Sequence, residues 1–244
     1  MNLNNNMNDR EKYFFDNVEI KPEDIERAKR AIFSKGIEKH IIILDKLKAW
    51  IENDKVPYEL IASLYRYDKR LRETLYKYIS YLEEYYRSLL LDNYRSHWSG
   101  IVLKEELNKE LNKTNDFNSA LEEISFSTLI NQVVLLKDNF GEKFVFPNMF
   151  HFTKNKDALI ELRNCVMHNK MLALFRGYKE CYLSDANESK GTTLKDNIIN
   201  LIHFLPEELR EKCMEEIKDC ASERNNEGKT AWAIPNYILV DVER

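Results

Sequence analysis

Four polar residues in one short stretch of the chain have types that could form a catalytic site, with one histidine to move protons and one arginine to stabilise negative charge. They are Arg163, Asn164, His168 and Asn169. A histidine can exchange a proton near neutral pH, and an arginine can stabilise charge that develops on a phosphate. At 3.6 residues per turn, Asn164 and His168 share a helix face, whereas Arg163 and His168 point roughly 140° apart. One helix therefore aims the pair poorly at a single target, but two copies that meet across a two-fold axis could bring both pairs to a shared cleft.

The same residues also allow a purely structural interpretation. Arg163 could pair with an acid such as Glu161 or Asp157, and His168 could cap the helix or pack against a neighbour. Thirteen arginines and five histidines make an arginine five positions before a histidine a common coincidence. The spacing alone is therefore weak evidence for a catalytic site.

The composition predicts that helices position these residues. Six glycines and five prolines are too few for an all-β fold, and a charged content of 32% is typical of helical proteins with solvated faces. Leu159, Leu162 and Val166 recur at helical spacing around the motif. The longest helical pattern runs from Asp68 to about Trp98 and is therefore the second element of interest. It carries Glu83 and Arg87 as an i,i+4 pair, which is either a surface salt bridge or an acid that holds an arginine in place.

The predicted fold class is all-α, with four regions along the chain. Residues 1–20 begin with a polar, Asn-rich run and are predicted to be a disordered tail. Residues 21–58 form an N-terminal helical extension, and residues 59–205 form the main helical domain, in which 103–124 is a helix followed by a loop. Residues 206–244 contain a C-terminal helix and an extended tail, with residues 238–242 as one possible short strand.

Charge and cysteine usage exclude several classes of function. A net charge of −4 disfavours a protein that coats nucleic acid non-specifically, although a local basic patch is allowed. The four cysteines form no Cys-x-x-Cys pair and no histidine cluster lies beside them, so neither a structural zinc nor any other metal is predicted. With no signal peptide and no apolar run long enough to span a membrane, the chain is expected to be cytoplasmic, with reduced thiols and no membrane contact.

Four segments together resemble the HEPN superfamily, in its Abi-like (abortive infection) branch. Residues 162–169, Leu-Arg-Asn-Cys-Val-Met-His-Asn, are similar to that family's Leu-Arg-Asn-x-x-x-His signature. Upstream, and in the family's order, lie Tyr-Asp-Lys-Arg-Leu-Arg at 67–72, Tyr-Leu-Glu-x-x-x-Arg at 81–87 and Ser-Phe-Ser-Thr-Leu at 125–129. The resemblance covers roughly residues 60–175, about half of the chain.

This resemblance implies a HEPN-like helical bundle that forms a homodimer with a composite active site. It also implies cleavage of RNA without a metal or any other cofactor, through attack of the ribose 2′-hydroxyl on the adjacent phosphate. His168 would move the proton, Arg163 would stabilise charge on the phosphorane, and Asn164 would orient the histidine or the phosphate. Glu83 could hold Arg163, Arg87 could add charge at the rim, and Asn169 completes the signature. Phosphate attraction could come from nearby basic residues: Lys154, Lys156, Lys170, Arg176 and Lys179.

The leading hypothesis is a ribonuclease of a phage-defence or toxin–antitoxin system. Such an enzyme needs restraint, which an antitoxin protein, a small regulatory RNA or activation by a phage product could provide. The alternative is a non-catalytic HEPN-like module that binds RNA or a protein through the same dimer groove. A third possibility is an unrelated helical interaction protein, in which the basic residues are ordinary solvated side chains.

Overall fold

The computed structural model describes residues 8–51, 54–97, 102–140, 152–183, 190–225, 228–231 and 238–242. Within these ranges the chain is predominantly helical with little strand, which confirms the predicted all-α class. The described helices are, in order, α1 (Asp9–Asn17), α2 (Ile25–Lys35), α3 (Ile37–Lys48), α4 (Tyr58–His97), α5 (Glu105–Thr114), α6 (Phe117–Glu123), α7 (Phe126–Phe140), α8 (Phe152–Met167), α9 (Leu194–Phe204) and α10 (Glu207–Cys220). Over the same ranges, no helix is both long enough and apolar enough to cross a membrane.

Three short two-stranded sheets join neighbouring parts of the chain. Strands β1 (Val18–Glu19) and β2 (Val56–Pro57) are parallel, with Val18 opposite Val56. Strands β3 (Cys181–Tyr182) and β4 (Lys190–Gly191) are antiparallel, and so are β5 (Ser222–Asn225) and β6 (Gly228–Ala231). None of these pairs is long enough to form a sheet that organises a core.

The chain divides into two compact units, and the division does not follow the predicted domain boundaries. One unit combines Met1–Leu71 with Asp219–Val240, and the other combines Arg72–Lys218 with Asp241–Arg244. The predicted boundary between residues 58 and 59 coincides with the start of α4, but the units separate further along that helix, between Leu71 and Arg72. Most of α10 belongs to the second unit, and its apolar face is buried at Cys213 and Ile217.

Residues 8–20 correct the predicted disordered tail. The Asn8 side chain accepts hydrogen bonds from the backbone N–H groups of Arg10 and Glu11, and Glu11 bonds back to Asn8, so a capping box starts α1. Phe14 is fully buried and meets the His40 ring of α3 edge-on. The prediction of disorder was wrong for residues 9–17, because local polarity hid a helix that the buried Phe14 anchors.

Two further segments differ from the predictions. The loop predicted within 103–124 contains α6, because Asp116 caps the helix at the backbone N–H of Ser119 and Phe117, Ala120 and Leu121 are buried. Residues 238–242 form no strand, and the backbone N–H of Val240 instead donates to the Tyr67 hydroxyl at 2.7 Å. The C-terminal region does contain strands, but they are β5 and β6.

In the second unit, α8 lies between several helices and is anchored by its apolar face. Leu159, Leu162 and Val166 are all buried, which confirms the predicted apolar stripe. At the start of α8, Phe152 meets Tyr86 of α4 edge-on and lies 5.0 Å, between ring centroids, from Phe204 of α9. Aromatic packing therefore fixes one end of the helix that carries the Arg-x4-His motif.

Candidate functional site

The motif lies at the C-terminal end of α8, and His168 is the C-cap residue of that helix. Asn169 adopts a left-handed conformation with φ of 53°. The backbone N–H of Asn169 bonds to the Val166 carbonyl at 3.1 Å, and that of Lys170 bonds to the Cys165 carbonyl at 3.0 Å. These two bonds form a Schellman motif, in which asparagine takes the position that glycine usually fills. The side chain of His168 is exposed at this helix end.

Arg163 projects from α8 towards α4 and α7. Its Nη2 lies 3.9 Å from Glu83 Oε2, and its guanidinium carbon lies 5.5 Å from the centroid of the Phe126 ring. Its Nη1 reaches Asn164 Oδ1 only at 3.5 Å. Neither Glu161 nor Asp157, the acids expected in the structural interpretation, forms a described ion pair with it; Glu161 pairs with Lys170 at 3.2 Å instead. The arginine is therefore held by a carboxylate more than seventy residues away in the sequence.

Glu83 is shared between two arginines. Its Oε1 accepts a hydrogen bond of 2.7 Å from Arg87 Nη2, which leaves Oε2 for the longer contact with Arg163. All three side chains are partly buried, with exposed fractions of 20% for Glu83, 22% for Arg87 and 25% for Arg163. Two positive groups thus surround one negative group, and the cluster has an excess positive charge.

The Arg163 guanidinium has few hydrogen-bond partners for its degree of burial. Its Nε is buried and has no hydrogen-bond partner among the described residues, and the same holds for Arg87 Nη1. A guanidinium has five N–H donors, and leaving them without acceptors away from water costs free energy. A cluster with excess positive charge, whose two guanidinium groups are still partly exposed, is suited to an anionic ligand, such as a phosphate.

A second contact links α4 to the end of α8. Arg72 Nη1 donates to Asn169 Oδ1 at 2.8 Å, and Arg72 is only 7% exposed. Arg72 and Glu83 are eleven residues apart, so they point within about 20° of each other and lie about 16 Å apart along α4. The same face of α4 therefore contacts both ends of the motif, at Arg163 and at Asn169.

The three segments 67–72, 81–87 and 125–129 each reach the motif through a single residue. Arg72 ends the segment 67–72 and contacts Asn169, Glu83 lies in the segment 81–87 and contacts Arg163, and Phe126 lies in the segment 125–129 and packs against Arg163. Sequence reasoning assigned no individual role to Arg72 or Phe126. Arg72 could have been identified from its spacing of eleven residues from Glu83, which puts both side chains on one face of a helix. Nothing in the sequence links Phe126 to Arg163.

The predicted basic residues do not form one patch around Arg163. Lys156 lies on the Arg163 face of α8, seven residues earlier, and its Nζ donates to Asn131 Oδ1 of α7. Lys154 lies nine residues before Arg163, about 180° away around the helix, and its Nζ lies 4.8 Å from the centroid of the Tyr182 ring. Lys170 pairs with Glu161, and Arg176 and Lys179 are exposed in the loop after the motif.

A polar cleft of about 450 Å³ lies between α5 and α7 and includes Asn131, the partner of Lys156. Lys104 and Lys109 line it, together with Glu105, Glu106 and Thr128. Sequence reasoning missed these two lysines, because both lie in a segment whose acids and lysines alternate and thus resemble an ordinary solvated helix.

The nearby thiol is not suited to act as a nucleophile. Burial raises the pKa of Cys165 to about 11, and Glu161 adds to the rise. A thiol reacts as its thiolate, so Cys165 stays protonated and unreactive at neutral pH. Over the ranges that the structure covers, no group of three or more His, Cys, Asp and Glu side chains is arranged to hold a metal ion. Among the residues of the motif, His168 is left as the group for proton transfer.

Comparison of the chain with protein-family models, with curated proteins and with solved structures found no match. The functional interpretation therefore rests on the site itself. Its elements are the exposed His168, the partly buried Arg163 cluster and the contacts that α4 makes with both.

Proposed function

We propose that this protein is a metal-independent endoribonuclease that acts as a homodimer. The observation that carries the proposal is the partly buried Arg163 guanidinium, which is 25% exposed, shares its only described carboxylate with Arg87 and lies close in sequence to an exposed histidine. Arginine with free donors suits a phosphate whose charge increases in the transition state, and histidine suits transfer of a proton at neutral pH.

The proposed reaction is transesterification within the RNA chain. His168 removes the proton from a ribose 2′-hydroxyl, whose oxygen then attacks the adjacent phosphorus. The bond from phosphorus to the 5′ oxygen breaks, and that oxygen takes up a proton from solvent, to which the His168 imidazolium then releases the proton it removed. The products end in a 2′,3′-cyclic phosphate and a 5′-hydroxyl. Arg163 stabilises the charge on the phosphorane, Glu83 orients Arg163, Asn164 orients the histidine or the phosphate, and Arg87 adds positive charge.

The proposal of a dimer is supported by the positions of the two residues on α8. Arg163 points towards Glu83 and Phe126, whereas His168 extends from the end of α8, which is consistent with the angle of roughly 140° for five residues on a helix. A second copy related by a two-fold axis could place its own histidine near Arg163. We propose that each active site combines residues from both copies.

Membership of the HEPN superfamily, in its Abi-like branch, and a role in phage defence or in a toxin–antitoxin system are part of the same proposal. Support comes from the three upstream segments, each of which supplies one contact to the motif. In that setting the partners are an RNA substrate and a neutralising antitoxin protein or small RNA. Single-stranded RNA is the preferred substrate class, since its 2′-hydroxyl can reach the in-line geometry that attack on phosphorus needs.

The test is cleavage of a labelled, mixed-sequence RNA pool in the presence of EDTA. We expect the wild type to produce fragments with 2′,3′-cyclic phosphate ends, and we expect Arg163→Ala and His168→Ala each to lose about a hundredfold or more in kcat/KM. Circular dichroism and sedimentation would verify that each variant folds and assembles as the wild type does. Binding of RNA without cleavage by the wild type would support the non-catalytic module instead.

A mixing experiment tests the composite site. When Arg163→Ala and His168→Ala chains are unfolded together and refolded, about half of the dimers contain one chain of each kind. If Arg163 of one chain works with His168 of the other, each mixed dimer has one complete site and activity returns. If each chain uses its own pair, the mixture stays as inactive as its components, and the composite site is refuted.

A further inference from the structure

The backbone at the end of α8 sets the position and the Cα–Cβ direction of His168. The imidazole is exposed and makes no hydrogen bond to any described residue, so no neighbouring side chain orients it. Its backbone N–H bonds to the Asn164 carbonyl at 3.0 Å, and the residue after it turns into the left-handed region. Whatever stabilises that turn therefore also holds the part of the backbone from which the His168 side chain extends.

The turn is stabilised from α4. Asparagine tolerates a left-handed conformation better than most residues, but it does so less readily than glycine. Arg72 is almost fully buried and is the residue that α4 places against the Asn169 side chain, at 2.8 Å. A glycine at this position would keep the turn but could not accept that bond. Since glycine would satisfy the left-handed turn, the turn alone does not explain why this position carries an asparagine that bonds to a buried arginine.

We infer that Arg72 and Asn169 are positioning residues, which hold the end of α8 so that His168 points at the reacting ribose. The inference rests on the proposed ribonuclease function and extends it to two residues that need not touch the substrate. The same face of α4 contacts Arg163 through Glu83, so one helix holds both of the residues that each copy would contribute to the composite sites of the dimer. Proton transfer is sensitive to the position of the base, whereas binding of an RNA backbone is not.

The test compares Asn169→Gly, which permits the left-handed turn but removes the acceptor, with Asn169→Asp, which keeps an acceptor for Arg72. Asn115 provides a matched control, because it ends α5 with φ of 56° and its side chain makes no described hydrogen bond. We expect Asn169→Gly to lower kcat about tenfold or more with KM unchanged, and we expect Asn169→Asp to retain most of the activity. Asn115→Gly should match the wild type.

A second measurement does not depend on cleavage. The imidazole C–H signals of uniformly ¹³C-labelled protein report the surroundings of each of the five histidines. The His168 signal should shift or broaden in Asn169→Gly and stay near its wild-type position in Asn169→Asp, while the signal of the buried His40 stays unchanged in both.

These outcomes separate the two proposals. An Asn169→Gly variant with the kcat and the His168 signal of the wild type would overturn the positioning role, even if the wild type cleaves RNA. A wild type that does not cleave RNA, but whose His168 signal responds to Asn169→Gly as expected, would refute the ribonuclease and leave Arg72 and Asn169 as the residues that orient His168. An unfolded Asn169→Gly, judged by circular dichroism, beside a folded Asn115→Gly would show a purely structural role and would also overturn the inference.

Discussion

At Glu83, a single carboxylate faces two guanidinium groups, so the positive charge of this cluster is only partly balanced. Arg87 takes the short hydrogen bond, of 2.7 Å, while Arg163 remains at 3.9 Å. Arg163 is thereby held in place without being neutralised, because the carboxylate is already engaged. An arginine in this state can exchange a weak internal contact for a strong one with a phosphate.

Replacing Glu83 with glutamine tests this balance. We expect Glu83→Gln to lower the free energy of unfolding by about 1–2 kcal/mol, because two partly buried guanidinium groups lose their shared countercharge. We also expect a lower kcat/KM, since Arg163 would no longer be oriented. Urea unfolding and RNA cleavage would measure the two effects.

The matched control for that substitution is the next residue. Glu84→Gln removes the same charge from an exposed side chain that forms no described ion pair, so its effects should be small. Equal losses of stability in Glu83→Gln and Glu84→Gln would show that the Glu83 carboxylate has no special role.

Single residues also mark the limit of local sequence rules. The i,i+4 rule correctly paired Glu83 with Arg87 within α4. The same kind of local reasoning suggested Glu161 or Asp157 for Arg163, yet Glu161 pairs with Lys170 and Arg163 with Glu83. Contacts within one helix depend only on spacing, whereas a contact between helices depends on how their faces pack.

At the scale of the helix, α8 carries Lys156 and Arg163 on one side and Lys154 on the opposite side. Lys156 and Arg163 are seven residues apart, so they point within about 20° of each other and lie about 10 Å apart along the axis. The contacts run in opposite order along α7, with Arg163 against Phe126 and Lys156 against Asn131, so the two helices are antiparallel. This side of α8 carries positive charge at two places where an RNA backbone could follow it.

Two lysines on opposite sides of α8 allow a matched test of RNA binding. The probe is an RNA analogue with 2′-deoxyribose throughout, which cannot be cleaved. We expect Lys156→Gln to weaken binding of this probe and to reduce the slope of log affinity against log salt by about 1. Lys154→Gln should leave both nearly unchanged, because Lys154 points away from Arg163. Fluorescence anisotropy at several salt concentrations would measure both variants, and equal effects would contradict a binding path along the Arg163 face.

At the scale of the whole molecule, buried histidines connect stability to pH. Burial lowers the pKa of His40 in the first unit, where its Nδ1 lies 2.9 Å from the Gly36 carbonyl oxygen and its ring stacks on Tyr65. Burial also lowers the pKa of His203 in the second unit. A pKa that is lower in the folded than in the unfolded state means that protonation favours unfolding.

The expected outcome is a loss of stability in mild acid. The neutral histidines stabilise the fold fully above the unfolded-state pKa of about 6.5, and this contribution falls as the pH drops below that value. The free energy of unfolding of the wild type should therefore decrease between about pH 7.5 and pH 5.5. The decrease should be smaller in His40→Asn, which can keep a donor to Gly36 but does not titrate. An equal decrease in both proteins would exclude His40 as a source.

The amino-acid sequence by itself determined the helical class, the apolar stripe of α8 and the pairing of Glu83 with Arg87. Each of these depends on composition or on spacing within one element, and helical periodicity makes such relations readable along the chain. It did not determine the anchored helix over residues 9–17, the helix α6 or the division of the chain within α4. In the two helices, burial of Phe14, Phe117 and their neighbours outweighed the local polarity.

The tertiary structure alone decided how the candidate site is assembled. Arg72 contacts Asn169 only through the tertiary structure, and the same holds for the contacts of Glu83 and Phe126 with Arg163. The fold also gives Lys154 and Lys156 different surroundings, although they are two residues apart. The reason is physical: these relations depend on which faces of α4, α7 and α8 are apolar enough to pack together, and that packing is a property of several helices at once. The sequence supplied the reactive groups, and the packing of the helices determined which of them meet.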